Sequence, residues 1–553
     1  MKRFTFLAVI AFALSVSASA QVWSDKLTTV GEAADYLRSA PMAIDADNNT
    51  VVTGRYSLQG DLAFGSTTFT GITANDAFIA KYDSKGAKQW VAGINGNAVF
   101  TAVATDKDGN IYAAGKFAAE ANVCGSDGAA KSITDGDAEN TSRYSSFIVK
   151  YDKSGVVKEA VALVPAADYS VVTSDEAFPF FEPTATISKI QVDGDKVYFS
   201  LLSRGAVTIG DLTVEDRYVD AGWVVQDLNF AAIVSLNASD LGSAEKVASL
   251  GAQDRVLSGV SYQAEDVNFT VNDGVVYAGF AGVGTLGLTT AAGTETVTLA
   301  YEEYGNVEHA FVFARIEGDK TAVKVYNTTA TDSWNVIDDI DKMLVYDGKL
   351  YVAGTFNVDG LFGGLEYKGG CDMFVASLSL SDLSLNAAKA SGYDEEDAEH
   401  NAEIMTGLFS DGNSLCLAGY AYVTASGAFI APLAYTIDPA TCSFTAQEAT
   451  EYLTAATENS DYVVVQYGTD GLSYDYKCLS KSTDGINIVA DKAQTIVRNG
   501  DGIAVAAPAD LCVYAADGAL VKSAKAATGI SLAGLAKGVY VVKAGKQTVK
   551  INK

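Results

Sequence analysis

The sequence predicts an all-β chain: a six- or seven-bladed β-propeller followed by a small C-terminal antiparallel β-sandwich. Three observations carry this expectation. First, a phrase made of an Asp/Asn/Gly turn, a glycine-bearing strand and a Phe-led strand recurs along the chain. It reads DGNIYAAGKF at 108–117 with SSFIVKYDKSG at 145–155, and GKLYVAGTF at 348–356 with DMFVASLSLSD at 372–382. Similarity repeated at intervals marks a repeat architecture and outranks local secondary-structure signals. Second, 553 residues are too many for one hydrophobic core of ordinary size. Third, the Phe-led strands are apolar at successive positions, so they are covered on both faces, which stacked blades achieve and a two-layer sandwich does not.

The first element is a leader. Lys2 and Arg3 form a basic start, Phe4 to Val16 a short apolar run, and Ala18-Ser19-Ala20 a small-residue cleavage site, so residues 1–20 are expected to be a signal peptide. Export is the consequence, with maturation at Gln21. The apolar run is shorter than the ~20 residues a bilayer requires, and no membrane span is expected. The first cysteine is Cys124, so an anchor on an N-terminal cysteine is not expected either.

Residues 21–482 are assigned to the propeller. Its glycine-bearing strands align as TVVTGRY (50–56), NIYAAGKF (110–117), KVYFSLL (196–202), GVVYAGF (274–280), KLYVAGTF (349–356) and SLCLAGY (414–420). Each follows a turn such as DADNN at 45–49 or DKDG at 106–109, whose residues supply conformations that others resist. The small residue near each strand end, Gly54, Gly115, Gly279, Gly354 or Gly419, fits a place where a neighbouring backbone comes close. Partner strands start at Phe78, Phe147, Ala232, Phe311, Phe374 and Phe429. A seventh unit can be assembled from YVVVQY (462–467), LSYDYKCL (472–479) and the N-terminal VWSDKLTT. Copies lie about 60 to 86 residues apart, beyond the spacing of compact propeller families, because the connections carry insertions.

The D-x-x-G-N-x-Y-x-x-G run from Asp106 to Gly115 and the DAFIAKYDSKGxxxW run from Asp76 to Trp90 resemble bacterial β-propeller repeats of the SBBP type. Residues 41–165 carry the likeness best.

Residues 483–553 drop the phrase and show short strands of their own. Asp517-Gly518 marks a hairpin turn and Gly538 precedes the strongest β run, Val539 to Lys543, giving an Ig-like sandwich. Val513 to Val521, Ile530 to Leu535, Gly538 to Val542 and Val549 to Lys553 are also similar to the C-terminal sorting domain of type IX secretion cargo. That resemblance implies the secretion machinery as a partner and delivery to the cell surface or medium.

Charge and residue inventory narrow the function. Lys plus Arg number 39 against 68 Asp plus Glu, a net charge of −29, which repels phosphate backbones and excludes nucleic acid as a natural partner. Only His309 and His400 could supply imidazole; the first precedes an apolar strand, and the second ends the acidic loop DEEDAEH, read as a solvated surface. DKDGN at 106–110 lacks the ligands that complete an EF-hand and is read as a turn. The glycines of GFAGVG at 279–284 open no helix, and there is no GxSxG, HExxH or P-loop.

Six cysteines, Cys124, Cys371, Cys416, Cys442, Cys478 and Cys512, include no CxxC; Cys416 with Cys442 is the pair to test for a disulfide, the alternative being two small buried side chains. Tyr218, Trp223, Tyr301, Tyr304, Trp334 and Tyr393 are candidates for stacking on sugars, although blade packing is the favoured reading. No catalytic, cofactor or metal residue is assigned, and no cofactor is expected. The expected function is a non-catalytic binding or structural propeller for a protein or glycan ligand; the alternative is a polysaccharide lyase or glycosidase on the same scaffold.

Overall fold

The computed structural model describes the strands and tight turns between residues 26 and 552. The longest stretches outside that description are 1–25, 30–41, 166–183, 253–266, 300–309, 329–337, 392–401, 447–461 and 480–496, with shorter ones inside other connections. The predicted leader therefore lies outside the described residues. The chain divides into two compact units, Met1–Ser482 and Thr483–Lys553.

The first unit is a β-propeller. Six consecutive antiparallel sheets run inner to outer in chain order. Blade 1 contains Met42–Ile44, Thr50–Tyr56, Asp76–Tyr82 and Lys88–Asn95; blade 2 contains Ala98–Thr105, Ile111–Phe117, Ser145–Tyr151 and Val157–Pro165. Blade 3 is Thr184–Asp193, Lys196–Arg204, Phe230–Asn237 and Glu245–Ala252; blade 4 is Asn268–Asn272, Val275–Gly282, Ala310–Glu317 and Lys320–Asn327. Blade 5 is Asp338–Tyr346, Lys349–Phe356, Asp372–Ser379 and Leu385–Ala390; blade 6 is Ala402–Ser410, Leu415–Val423, Phe429–Ile437 and Phe444–Ala446. Inner strands of successive blades lie side by side. A seventh sheet joins the two ends of the unit, with Lys26–Thr29 pairing Ser473–Leu479, which in turn pairs Tyr462–Tyr467.

The long connections between second and third strands are not idle. In blade 2, the hairpin Glu120–Cys124/Ala130–Thr134 reaches back and pairs with the outer strand of blade 1, Val123 opposite Ile94. The hairpin of blade 3, Val207–Ile209/Leu212–Val214, does the same to blade 2, and Thr285–Thr290/Gly293–Thr298 of blade 4 does it to blade 3. Asp61–Phe64/Thr67–Thr70 of blade 1 pairs with Lys26–Thr29, which gives that N-terminal strand the outer place in the seventh sheet. An outer strand otherwise offers unpaired backbone groups to any passing chain, and each hairpin covers part of that edge, two positions in blades 1 and 2 and five in blade 3. In blade 5 the connection forms a short turn instead, and its Phe362 packs on Phe311, Phe313 and Tyr326 of blade 4.

Packing explains the glycine–phenylalanine phrase and corrects its alignment. Gly54, Gly115 and Gly354 sit directly opposite Phe78, Phe147 and Phe374. A Cβ on Gly115 would lie 2.1 Å from the carbonyl oxygen of Val99 and 2.5 Å from Cζ of Phe147, so the ring fills the room the glycine leaves. Tyr112, Tyr198, Tyr277 and Tyr351 all cluster with the following blade. Three residues after each tyrosine come Gly115, Leu201, Phe280 and Gly354, opposite Phe147, Ala232, Val312 and Phe374. One large and one smaller side chain share each pair, and blades 3 and 4 exchange which strand carries the larger. Gly279, aligned by sequence with Gly354, is one residue out of register; it opposes Phe313 on the side facing Met343 of blade 5. Because side chains alternate, that slip reverses the face. In blade 6, Gly419 faces Leu433, and Phe429 lies opposite Val423.

The inner strands carry a feature absent from the phrase. In blades 2, 3, 5 and 6 the pairing shifts at the same point, leaving Thr101, Ser188, Asp341 and Thr406 as extra residues. Such bulges bend a strand and increase its twist.

The second unit, expected as an Ig-like sandwich, is among the described residues one five-stranded antiparallel sheet. Its long strands Gly502–Ala515 and Leu520–Ser531 pair with breaks in register, and Val539–Ala544 and Gln547–Asn552 extend the sheet. Leu511, Val513, Leu532, Val542 and Ala544 form its own core.

Candidate functional site

Each blade exposes two kinds of ends. One face carries the tight turns joining first to second and third to outer strands; the other carries every long connection. The tight-turn face is committed to structure. Oδ1 of Asp106 accepts from the backbone N–H of Asp108 and Asn110 at 2.9 Å each, and Asp45 does the same for Asp47 and Asn49. These are turns that close on their own aspartate. Asp152 repeats the arrangement, and although burial raises its carboxyl, hydrogen bonds from Lys158, Ser154 and Val156 hold it at about 2. DKDGN is thus a turn, and among the described residues no group of three His, Cys, Asp or Glu is placed to hold a metal.

On the same face the blades are fastened together. The hydroxyl of Tyr112 donates to the carbonyl of Ala238 in the next blade at 2.8 Å, Tyr277 to Leu380 at 3.3 Å, and Tyr351 to Pro439 at 2.7 Å. Each acceptor lies in the turn before the outer strand, and each also receives a cation from the preceding blade: Lys150 at 2.7 Å, Arg315 at 3.0 Å and Lys349 at 2.9 Å. In blade 1 the indole of Trp90 takes this part, donating to Lys153 at 3.1 Å while its ring covers Gly155, whose φ of +85° suits glycine. Lys81 instead turns to Asp45 at 2.7 Å, a nearly fully buried pair. Burial raises the Asp45 carboxyl, but hydrogen bonds from Lys81 and Asn49 outweigh it and hold the carboxyl below its usual range.

The face of long connections is the candidate ligand face. Its described margin holds a buried polar group between blades 5 and 6. Glu403 and Asp372 are each 1% exposed. One Glu403 carboxylate oxygen is paired with the Ser391 hydroxyl; the other lies 3.4 Å from the Tyr435 hydroxyl. Cys371 exchanges two contacts with Glu403: its carbonyl accepts from the Glu403 N–H at 2.9 Å, and its thiol donates to the Glu403 carbonyl at 3.7 Å. Burial, reinforced by the charges of Asp372 and Glu403, pushes the Cys371 thiol up to about 11, so it is an inert thiol. Two carboxyls this enclosed give a polysaccharide no approach to either.

The sequence candidates fall unevenly on this frame. Trp223, Tyr301, Tyr304, Trp334, Tyr393, His309, His400 and the acidic loop lie outside the described residues, as does the side chain of Tyr218, whose backbone belongs to the strand Arg217–Asp220. Cys442 is a free, buried thiol donating to the Ala387 carbonyl at 3.6 Å, so it is not in a disulfide with Cys416. The Glu403 cluster escaped the sequence because its members come from four separate strands or connections with no shared motif.

No protein-family model matches the chain. It is 34% identical over 125 residues to an uncharacterized WD repeat-containing protein of Acanthamoeba polyphaga mimivirus; the match spans 21% of this chain and 9% of that one. This chain is a β-propeller repeat protein. Among solved structures, it is similar to a protein of unknown function from Dyadobacter fermentans, with 11% identity, TM-score 0.33, and coverage of 74% of this chain and 98% of the other. It is also similar to a quinohemoprotein alcohol dehydrogenase from Pseudomonas putida (9%, TM-score 0.29, 74% and 73% covered) and to a GH43 protein from Bacillus licheniformis (9%, TM-score 0.21, 82% and 96% covered). At TM-scores of this size the strand order, and not the likeness, carries the fold.

Proposed function

We propose that this propeller is an exported, non-catalytic binding module that engages a protein or glycan ligand through the connections of its open face. The observation that carries this reading is the division of labour between the faces. Tyrosines, cations and turn aspartates of one face are consumed in fastening blades, while every long connection joins strand ends on the other, several of them lending only a short hairpin to a neighbouring sheet, and loops set on a rigid scaffold are where binding residues concentrate. The SBBP-type relationship belongs to the same proposal. Titrating purified mature chain against glycan arrays and candidate proteins tests it: saturable binding without turnover supports the reading, and turnover of any glycan overturns it.

The C-terminal unit has a separate role in this proposal, as the handle for secretion machinery. It carries nine Lys or Arg against five Asp and no Glu, a net charge of +4 within a chain of −29. A segment of opposite charge offers a receptor a surface the propeller cannot mimic. Removing residues 483–553 is expected to trap the propeller inside the cell envelope; unchanged export would sink this role, and N-terminal sequencing of the exported chain tests cleavage before Gln21.

A further inference from the structure

Glu403 is the second residue of the inner strand of blade 6, and among the described residues its carboxyl is approached from both blades of the boundary. Ser391, just beyond the outer strand of blade 5, reaches one carboxylate oxygen. Its hydroxyl also lies 3.3 Å from the carbonyl of Met373 and accepts from the Met373 N–H at 3.2 Å. Tyr435, from the third strand of blade 6, approaches the other oxygen. Asp372 faces the group from the third strand of blade 5, with Cys371 beside it, and Asp339 of the inner strand of blade 5 lies close enough to act on that thiol; these are the titratable neighbours among the described residues.

We propose that Glu403 is an acid-set catch between blades 5 and 6, closed when its carboxyl is neutral and slackened when it ionises. Enclosure, and not hydrogen bonding, favours the neutral form. Ser391, Tyr435 and the Met373 N–H all act on the carboxyl as donors and favour its ionised state, and the Met373 carbonyl accepts from the Ser391 N–H at 2.9 Å in either state. Ionisation, however, places a second negative charge beside Asp372 in a site where both carboxyls are 1% exposed. Burial raises the Glu403 carboxyl most, Ser391 opposes it, Asp372 raises it further, and the net direction is upward. A carboxyl raised by folding stabilises below its unfolded value and loses that contribution as pH rises through the folded one. Acidification therefore tightens this boundary.

Hydrogen exchange of the full chain between about pH 5 and pH 8, corrected for intrinsic rates, reads the catch directly and needs no ligand. Residues 402–410 are expected to lose protection by about tenfold across that range relative to residues 145–151 of blade 2, and Glu403→Gln to hold it constant within about twofold. Identical profiles in the two proteins, or a flat wild-type profile, overturn the proposal. Should Glu403→Gln fail to fold, Asp372→Asn removes the neighbouring negative charge and is expected to move the loss of protection to lower pH; an unmoved profile overturns the proposal equally.

Discussion

Lys150 stands directly across the strand pair from Tyr112, with its ammonium 5.6 Å from the centre of the tyrosine ring, and the two polar ends meet on one carbonyl oxygen, that of Ala238. Arg315 and Tyr277 repeat the cross-strand arrangement on Leu380, while Lys349, two residues before Tyr351 on the same strand, meets that tyrosine on Pro439. Neighbouring blades are thus joined by paired donors as well as by apolar contact.

Replacing either phenol by a phenyl ring isolates one of those donors. Tyr112→Phe and Tyr351→Phe are each expected to cost about 1 kcal/mol, the net worth of an ordinary hydrogen bond. The two sites lie in different blades, so urea unfolding of the double variant should return the sum within about 0.5 kcal/mol.

Gly354 tolerates no side chain. A Cβ there would stand 1.7 Å from the carbonyl oxygen of Asp339 and 2.9 Å from Cε1 of Phe374. Gly354→Ala is expected to destabilise by about 3 kcal/mol or to prevent folding. Adding Phe374→Leu should recover only part of the loss in chemical denaturation, because the backbone contact stays.

The Asp45–Lys81 pair makes stability depend on pH. Asp45 is depressed in the folded state, so its contribution is present above the unfolded carboxylate range and disappears as pH falls through the folded value. Lys81→Met strands a buried carboxylate, and an unfolding midpoint reduced by about 3–5 kcal/mol is expected at pH 7. That deficit should shrink in acid, where Asp45 is neutral in both proteins.

Phe362 tests the turn that replaces a hairpin in blade 5. Its ring lies 5.0 Å from Tyr326, 6.0 Å from Phe311 and 6.2 Å from Phe313, centre to centre. Phe362→Ala is expected to cost about 3–5 kcal/mol, and limited proteolysis should then cut first within 357–371.

Recurrence made the blades legible: turn aspartates, the tyrosine and the apolar third strand repeat because every blade solves the same packing problem. The phrase misled where two positions share one volume. Phe280 and Val312 do for blade 4 what Gly354 and Phe374 do for blade 5, and an alignment keyed to glycine slides past that exchange. Thr101, Ser188, Asp341 and Thr406 share only a short polar side chain, too common a type to mark the bulge of the inner strands in the sequence. Glu403 and Ser391 were hidden for another reason: a contact between blades depends on register, which spacing along the chain does not report.

Hairpins that lie along the rim of the preceding sheet make the ring a one-way overlap, like shingles. Excising one repeat at its sheet boundaries would strip the rim of its predecessor and leave its successor's flap with nothing to cover. The transplantable cassette therefore straddles two sheets, and grafts cut between an outer strand and the next inner strand should aggregate through the bared rim, whereas grafts that carry the following flap should stay soluble.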